Sequence, residues 1–274
     1  GASEAIAIAI GRTKATNVVT SSVEHDAVLR VSVGAMRLAV DGAGVVLNED
    51  AAAGLVAVQH VNNETGVIQP LDHIDRAGTT LFVDCAQSAG RMPLPDADMI
   101  AISAHKFGGP PGVGALLIRD LAMISPSGGQ EQGYRAGTEN LPGVMAMAAA
   151  LDAGADWTVG AAPLRARLDA GIEAAGGIVV ARDAPRVPWI ASYRMPGLSA
   201  RAQLIQFDLA GISVSAGSAC SSGSLKTSHV LAAMGWPEAA AAEVVRVSFG
   251  PETGMADIDR FLSTWTAMAE RARR

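Results

Sequence analysis

Lys106 lies where an apolar segment meets a segment rich in glycine and proline. The apolar run at 99–102 is typical of a short buried strand, and glycines and prolines follow at 108–114. Burial lowers the pKa of a lysine amine and so favours the neutral amine that forms Schiff bases. The alternative is an ordinary lysine whose ammonium group reaches water beyond the strand end. Lys106 is therefore a candidate nucleophile that needs support from other residues.

Asp84 and Gln87 follow a second predicted buried strand at 80–83. An aspartate in this position often caps a helix or pairs with a base. Beside a lysine that forms Schiff bases it has a distinct use, because it keeps the pyridine nitrogen of pyridoxal 5′-phosphate protonated and the ring can then accept electrons. Asn63 and Gln87 could donate hydrogen bonds to the phenolate oxygen of that ring. Pyridoxal 5′-phosphate is the expected cofactor, and no metal is expected.

Other polar side chains could complete a site for this cofactor. His25 could stack on the face of the ring, although a histidine at a strand end often has a structural role. A helix N-terminus with a hydroxyl group beside it would hold a phosphate. The candidate phosphate donors are Ser3, Ser103, His105 and Thr138.

The predicted elements place these residues along one edge of a sheet. In the first part of the chain, short apolar strands alternate with helices, which indicates a mostly parallel α/β sheet. Ligands bind beyond the carboxyl ends of the strands in such sheets, where most of the candidates lie. The segment 5–10 leaves two interpretations open: a strand that alternates small and large residues, or a helix capped by Ser3.

The pattern changes after a boundary at 152–163. Amphipathic helices and shorter strands follow, including a predicted terminal helix at 255–274 whose closing arginines suit the helix dipole. We therefore predict a large cofactor-binding α/β domain at 1–155 and a smaller C-terminal α+β domain at 156–274.

Composition narrows the classes of partner and the compartment. The net charge of −6 argues against a nucleic-acid partner or an anionic membrane surface. Two cysteines in 274 residues make no disulfide framework, which fits a reducing compartment. We find no signal peptide and no apolar run of membrane-spanning length. A globular cytoplasmic protein is expected.

Seven segments, taken in order, resemble the cysteine desulfurases. These are fold-type I pyridoxal-phosphate enzymes that supply sulfur for iron–sulfur clusters and other thio-cofactors. The segments are SSVEHDAVL (21–29), HVNNETGVIQP (60–70), VDCAQSAG (83–90), ISAHKFGGPPGVGAL (102–116), YRAGTEN (134–140), SAGSACSSGSLKTSHVL (215–231) and VRVSFG (245–250). The lysine and aspartate segments are shared with related aminotransferase-like enzymes. The cysteine segment is more specific and resembles the branch with the general and nitrogen-fixation-associated desulfurases.

The resemblance implies a role for each candidate, matched by position. Lys106 would form the Schiff base and take the Cα proton of L-cysteine. The implied cofactor contacts are His25 stacked on the ring, Asp84 at the ring nitrogen, Asn63 and Gln87 at the phenolate, and Ala2, Ser3, Ser103 and His105 at the phosphate. Thr138 would come from the other subunit of a homodimer. Arg246, together with Asn63, would bind the substrate carboxylate, a role that suits a bidentate guanidinium.

Cys220 would be the nucleophile that receives the sulfur of L-cysteine as a persulfide and leaves L-alanine. An unpaired cysteine is often buried packing. That interpretation fails here because the serines and glycines at 215–224 do not resemble a core. Cys85 directly follows a buried strand, so we interpret it as packing. A sulfur-acceptor protein or an iron–sulfur scaffold is the implied protein partner.

Several features depart from the family pattern and keep alternatives open. The chain starts without methionine, and family members carry several dozen residues before the region matching Gly1, so we expect that the natural start is missing. Gln130 stands where histidine is common, and Pro251 where arginine is frequent. One alternative is a selenocysteine lyase or another related aminotransferase-like enzyme. The other is an inactive scaffold that binds sulfur carriers.

Overall fold

The computed structural model describes residues 1–47, 54–74, 78–217 and 227–273. The chain divides into two compact units. The first comprises Gly1–Ala39, Val46–Asn62 and Gln69–Ala155, and the second comprises Val40–Val45, Asn63–Ile68 and Asp156–Arg274. The sequence did not predict that 40–45 and 63–68 belong with the second unit. The functional roles assigned to the two parts stay predictions.

The first unit is built from a sheet and helices. Its described elements are α1 (Ala2–Gly11), β1 (Val18–Ser21), α2 (Asp26–Val31), β2 (Met36–Leu38), β3 (Leu55–Gln59), β4 (Thr80–Asp84), β5 (Met99–Ser103), β6 (Gly114–Ile118) and α3 (Leu141–Asp152). The strand order is β2-β1-β3-β4-β5-β6. Every neighbouring pair is parallel except β5 and β6, which are antiparallel. The predicted mostly parallel α/β sheet is confirmed.

The strands β3, β4 and β5 are mostly apolar, and all of their residues are buried except Thr80 at the start of β4, which is half-buried. Alternate side chains enter two separate clusters, with Phe82 and Ala101 in one and Val83 and Ile102 in the other. A strand buried on both faces is typical of a parallel sheet covered by helices and loops. Because the register pairs Asp84 with Ala101, the last residues of β4 and β5 end at the same edge.

The first segment of the chain is a helix, which decides between the two interpretations of its pattern. Helix α1 buries Ala5, Ile6, Ala9 and Ile10, which share one face through spacings of three, four and five residues. These side chains join the cluster that covers β3, β4 and β5. Packing against the sheet therefore determines the helix despite the alternation of small and large residues.

The second unit contains a smaller antiparallel sheet. Its described elements are α4 (Trp157–Ala174), β7 (Ile178–Val179), β8 (Ile190–Arg194), α5 (Ala200–Leu209), β9 (Ser215–Ala216), α6 (His229–Ala233), α7 (Glu238–Ala241), β10 (Val244–Ser248) and α8 (Met255–Ala272). The strand order is β7-β8-β10-β9. Phe207 and Phe261 stack with their ring centroids 4.6 Å apart, which fixes α5 on α8. None of the helices in the described ranges combines the length and apolar character needed to cross a membrane.

Candidate active site

Lys106 closes a short 3-10 turn, Ala104–Lys106, that directly follows β5. The residue is half-buried, and its carbonyl accepts a hydrogen bond from Arg91. Its ammonium charge is felt by Asp84 at the end of the neighbouring strand β4, because that charge lowers the pKa of the carboxyl group. The structure therefore brings Lys106 and Asp84 together at one edge of the sheet, as expected when adjacent parallel strands both end in functional residues.

Asp84 is a buried carboxyl group, with 6% of the residue exposed. Burial raises its pKa to about 6, while a 2.9 Å hydrogen bond from the Ala86 N–H and the charge of Lys106 act in the opposite direction. A buried carboxylate of this kind is stabilised by a cationic partner. A protonated ring nitrogen would supply that charge. Gln87 is half-buried in the turn that begins at Asp84.

His25 is the N-cap of α2. Its Nδ1 atom accepts a 3.1 Å hydrogen bond from the Ala27 N–H. Because this bond uses the Nδ1 lone pair, the proton of the neutral ring is on Nε2. The cap fixes the tautomer and the direction of the ring, which are the properties that a side chain stacked on a cofactor needs.

The N-terminus of α1 lies beside the end of β5. The Ser103 Oγ and His105 Nδ1 atoms are 3.0 Å apart. A Cβ atom built on Gly1 would lie 3.4 Å from the Ser103 Oγ, so the helix begins next to this hydroxyl group. The first N–H groups of a helix have no partner within the helix and attract anions. Ala2 and Ser3 carry two of them.

Gly114 allows this close approach. A Cβ atom at that position would lie 2.4 Å from the Ile102 carbonyl oxygen and 2.8 Å from the Gly1 Cα. Any larger residue would push the start of α1 away from β5. The helix N-terminus, Ser103 and His105 thus lie close together, and their donor groups are of the kind that could hold a phosphate group.

Thr138 is exposed in the loop that precedes α3. Its carbonyl oxygen accepts a 3.3 Å hydrogen bond from Arg135. Within the described ranges, no hydrogen bond joins Thr138 to Ser103 or His105. The predicted phosphate contact from a second subunit stays a prediction.

Asn63 and Arg246 both belong to the second unit. Arg246 lies on β10 and donates a 3.0 Å hydrogen bond from Nη1 to the Asn63 carbonyl oxygen. Both side chains are half-buried. The predicted substrate-binding pair is therefore in contact, and the carbonyl of Asn63 orients the guanidinium group.

Two buried glutamates, Glu24 and Glu64, were missed at the level of sequence. Glu64 Oε2 accepts a 2.5 Å hydrogen bond from Ser228, which caps α6. Glu24 is fully buried and has a pKa raised to about 8, chiefly by burial. Each glutamate directly follows or precedes a predicted site residue, Asn63 or His25. That adjacency was the available signal, but a glutamate in a polar segment is equally typical of an exposed side chain.

Of the two cysteines, Cys85 lies in the described part of the chain and Cys220 does not. Cys220 lies outside the described residues, so its predicted role as nucleophile stays a prediction. Cys85 is buried in the core, and burial raises the pKa of its thiol to about 12. A thiol with so high a pKa is a poor nucleophile, which agrees with the interpretation of Cys85 as packing.

This chain is similar to known proteins of one family. Residues 1–261 match the family model described as "Aminotransferase class-V". A cysteine desulfurase from Cereibacter sphaeroides is 36% identical, over 93% of this chain and 73% of the relative. One from Bradyrhizobium diazoefficiens is 37% identical, over 93% of this chain and 72% of the relative. A solved NifS-like protein superposes with a TM-score of 0.85 at 27% identity, over 98% of this chain and 81% of that chain.

The sheet, the lysine at its carboxyl edge and the matched model define the class, and the chain belongs to the class-V aminotransferase family. Within that class, it is a cysteine desulfurase. The predicted family is thereby confirmed, and its cofactor is pyridoxal 5′-phosphate.

Proposed function

We propose that this chain converts L-cysteine to L-alanine and collects the sulfur on Cys220 as a persulfide. The observation that carries the proposal is the pairing of Lys106 with the buried Asp84 at adjacent strand ends. The helix N-terminus beside Ser103 supports it, because the two features suit opposite ends of the same cofactor.

The described residues fit pyridoxal 5′-phosphate. When bound, the cofactor supplies an electron sink for the pair of electrons left at the substrate Cα. Asp84 would hold the proton of the ring nitrogen, and His25 would cover the face of the ring. Gln87 and Asn63 would donate to the phenolate oxygen. The donors of Ala2, Ser3, Ser103 and His105 would hold the phosphate.

Lys106 moves the proton in the chemical step. Its amine takes the Cα proton of L-cysteine and later returns a proton as alanine forms. Arg246 binds the substrate carboxylate through two parallel hydrogen bonds, a geometry that suits its planar guanidinium. Asn63 assists through the carbonyl that orients Arg246.

Cys220 receives the sulfur as a thiolate. It attacks the substrate sulfur, an S–S bond forms, and the Cβ–S bond breaks. The electron pair of the broken bond stays with the carbon fragment, which takes up protons and leaves as L-alanine. The balanced products are one L-alanine and one persulfide, so no outside oxidant is needed.

Three further parts of the proposal concern partners and location. The enzyme acts as a homodimer in which Thr138 of each subunit reaches the other subunit's phosphate. The persulfide sulfur passes to a sulfur-acceptor protein or an iron–sulfur scaffold in the cytoplasm. The net charge of −6 argues against a nucleic-acid partner. The low cysteine content supports a reducing compartment.

A single-turnover reaction tests the function. Cofactor-loaded protein is mixed with one equivalent of L-cysteine, and alanine and the mass of the Cys220 peptide are followed together. We expect stoichiometric alanine and the mass of one added sulfur atom on Cys220. The Cys85 peptide in the same digest is the internal control, because its buried thiol should stay unmodified.

Other outcomes favour the alternatives. A change in cofactor absorbance without sulfur on Cys220 would indicate a different lyase or transaminase. Faster release of selenium from selenocysteine than of sulfur from cysteine would indicate a selenocysteine lyase. Folded protein that binds no cofactor would indicate the inactive scaffold.

Ser228→Ala should slow sulfur transfer to Cys220 about tenfold, because loss of an anchor remote from the chemistry lowers the rate when it misplaces the reacting group. Ser228 is 2% exposed and ties the chain eight residues after Cys220 to the buried Glu64. Stopped-flow alanine formation and the absorbance of bound cofactor are measured together. The absorbance should not change. Ser199→Ala is the control for the loss of a helix cap, because Ser199 is an exposed N-cap of α5 and makes no bond to Glu64. Equal slowing in both variants would contradict the prediction.

A further inference from the structure

Glu24 is buried between the end of β1 and the start of α2, with none of its surface exposed. Its Oε1 atom accepts a 2.5 Å hydrogen bond from the Ser21 hydroxyl and a 3.0 Å hydrogen bond from the Gln59 N–H. The first bond closes the turn in front of His25. The second attaches that turn to the last residue of β3. A carboxyl group buried with two donors is held in one position.

A second set of hydrogen bonds attaches the same turn from the other side. The Val23 carbonyl oxygen accepts from Gln59 Nε2 at 2.7 Å and from Asn62 Nδ2 at 3.1 Å. Main chain and side chains at 23–24 are therefore both fixed to the end of β3. The next residue is His25, whose ring is already directed by its bond to Ala27. The position of that ring is thus set by the attachment of the turn.

Two charged side chains, on β4 and β2, act on Glu24. Asp84 on β4 faces it and raises its pKa, while Arg37 on β2 and the hydrogen bonds from Ser21 and Gln59 lower it. Burial dominates and raises the pKa of Glu24 to about 8. Lys106 faces Asp84, whose pKa is about 6. Two coupled carboxyl groups lose their protons in two steps, so the pair carries one negative charge near neutral pH.

We propose that Glu24 is a positioning residue for the cofactor site, which fixes the turn bearing His25 on β3 and leaves Asp84 as the carrier of the negative charge. The inference rests on the proposed function in so far as the charge on Asp84 is matched to the protonated ring nitrogen. Glu24 acts as a neutral, hydrogen-bonded spacer. Its role requires its shape and its contacts but not its ionisation.

The first test measures unfolding of the cofactor-free protein between pH 5 and pH 9. A buried acid whose pKa is raised binds its proton more tightly in the folded state, so stability falls as pH rises from the unfolded value of 4.5 towards about 8. The proton on Glu24 should change the unfolding equilibrium constant by about tenfold per pH unit between pH 4.5 and about pH 8. Glu24→Gln should remove this contribution. Glu270→Gln is the control, because it makes the same change on the exposed side of α8.

Ser21→Ala keeps the carboxyl group and gives an independent check. The Ser21 hydrogen bond lowers the pKa of Glu24, so its loss should extend the fall in stability to higher pH. If the pH dependence of the parent equals that of Glu24→Gln, Glu24 does not titrate in this range and the proposal is wrong. These measurements need neither substrate nor cofactor, so they stand even if the proposed reaction fails.

The second test measures the visible circular dichroism of bound cofactor and kcat at pH 7. The amide oxygen of Glu24→Gln can accept both hydrogen bonds, so we expect parent-like dichroism and kcat within about threefold. Glu24→Ala cannot accept them and should lose at least about tenfold in kcat, with altered dichroism. If Glu24→Gln behaves like Glu24→Ala, the ionised form is needed and the proposal is overturned.

Discussion

Lys106→Ala should lower kcat for alanine formation by at least about 10³-fold, because removal of a positioned general base costs roughly 10² to 10⁴ and the covalent link to the cofactor is also lost. The cofactor should still bind without a covalent bond, since the donors around Ser103 and the N-terminus of α1 are unchanged. Steady-state alanine production and the absorbance of bound cofactor check both parts. A small primary amine in the buffer should restore part of the activity.

Lys14→Ala is the control for this variant, because Lys14 is an exposed lysine and its backbone N–H, which donates to the Met123 carbonyl oxygen, is kept in the variant. Its kcat should equal that of the parent. Turnover by Lys106→Ala within tenfold of the parent would show that another group takes the Cα proton. Failure of amine rescue together with loss of cofactor binding would point to a structural defect instead.

Asp84→Asn should lower kcat by about 10²- to 10³-fold while it makes the cofactor-free protein more stable at pH 7. The asparagine oxygen can still accept the Ala86 N–H, but it cannot hold a proton on the ring nitrogen. Burial raises the pKa of Asp84 from 3.8 to about 6, so the carboxylate costs stability above that range. At about 1.4 kcal/mol per pH unit, Asp84→Asn should gain on the order of 3 kcal/mol at pH 7 and nothing below pH 3.8.

Urea unfolding at pH 4 and pH 7 measures the expected gain in stability of Asp84→Asn. A steady-state measurement of kcat checks the expected loss of activity. Asp72→Asn, at an exposed position in the 3-10 turn Leu71–His73, is the control and should change neither quantity. If Asp84→Asn retained kcat, Asp84 would be a structural cap only. If stability at pH 7 did not rise, the buried carboxylate would already be compensated by Lys106.

The residues at strand ends were predictable because sequence patterns report burial, and the first polar residues after each parallel strand lie together at one edge of the sheet. Lys106 and Asp84 were found in this way. The helical structure of α1 could not be predicted, because the residues Ala5 to Ile10 fit a strand and a helix equally. Packing against the sheet decides between the two. Glu24 was missed because its neighbours in sequence do not reveal the donors that bury it. The hydrogen bond between Asn63 and Arg246 joins residues that are 183 positions apart, and no local sequence pattern reports such a contact.

The close approach of Gly114 to the start of α1 joins two segments that are far apart in the chain. The proposed phosphate donors come from residues 2–3 and 103–105, which are about a hundred positions apart in the chain. Contacts over so long a separation form late in folding because the closure entropy must be met first. A chain that has formed only β1 to β4 would lack Ser103 and His105. We therefore expect cofactor uptake to follow the docking of the β5–β6 hairpin on α1.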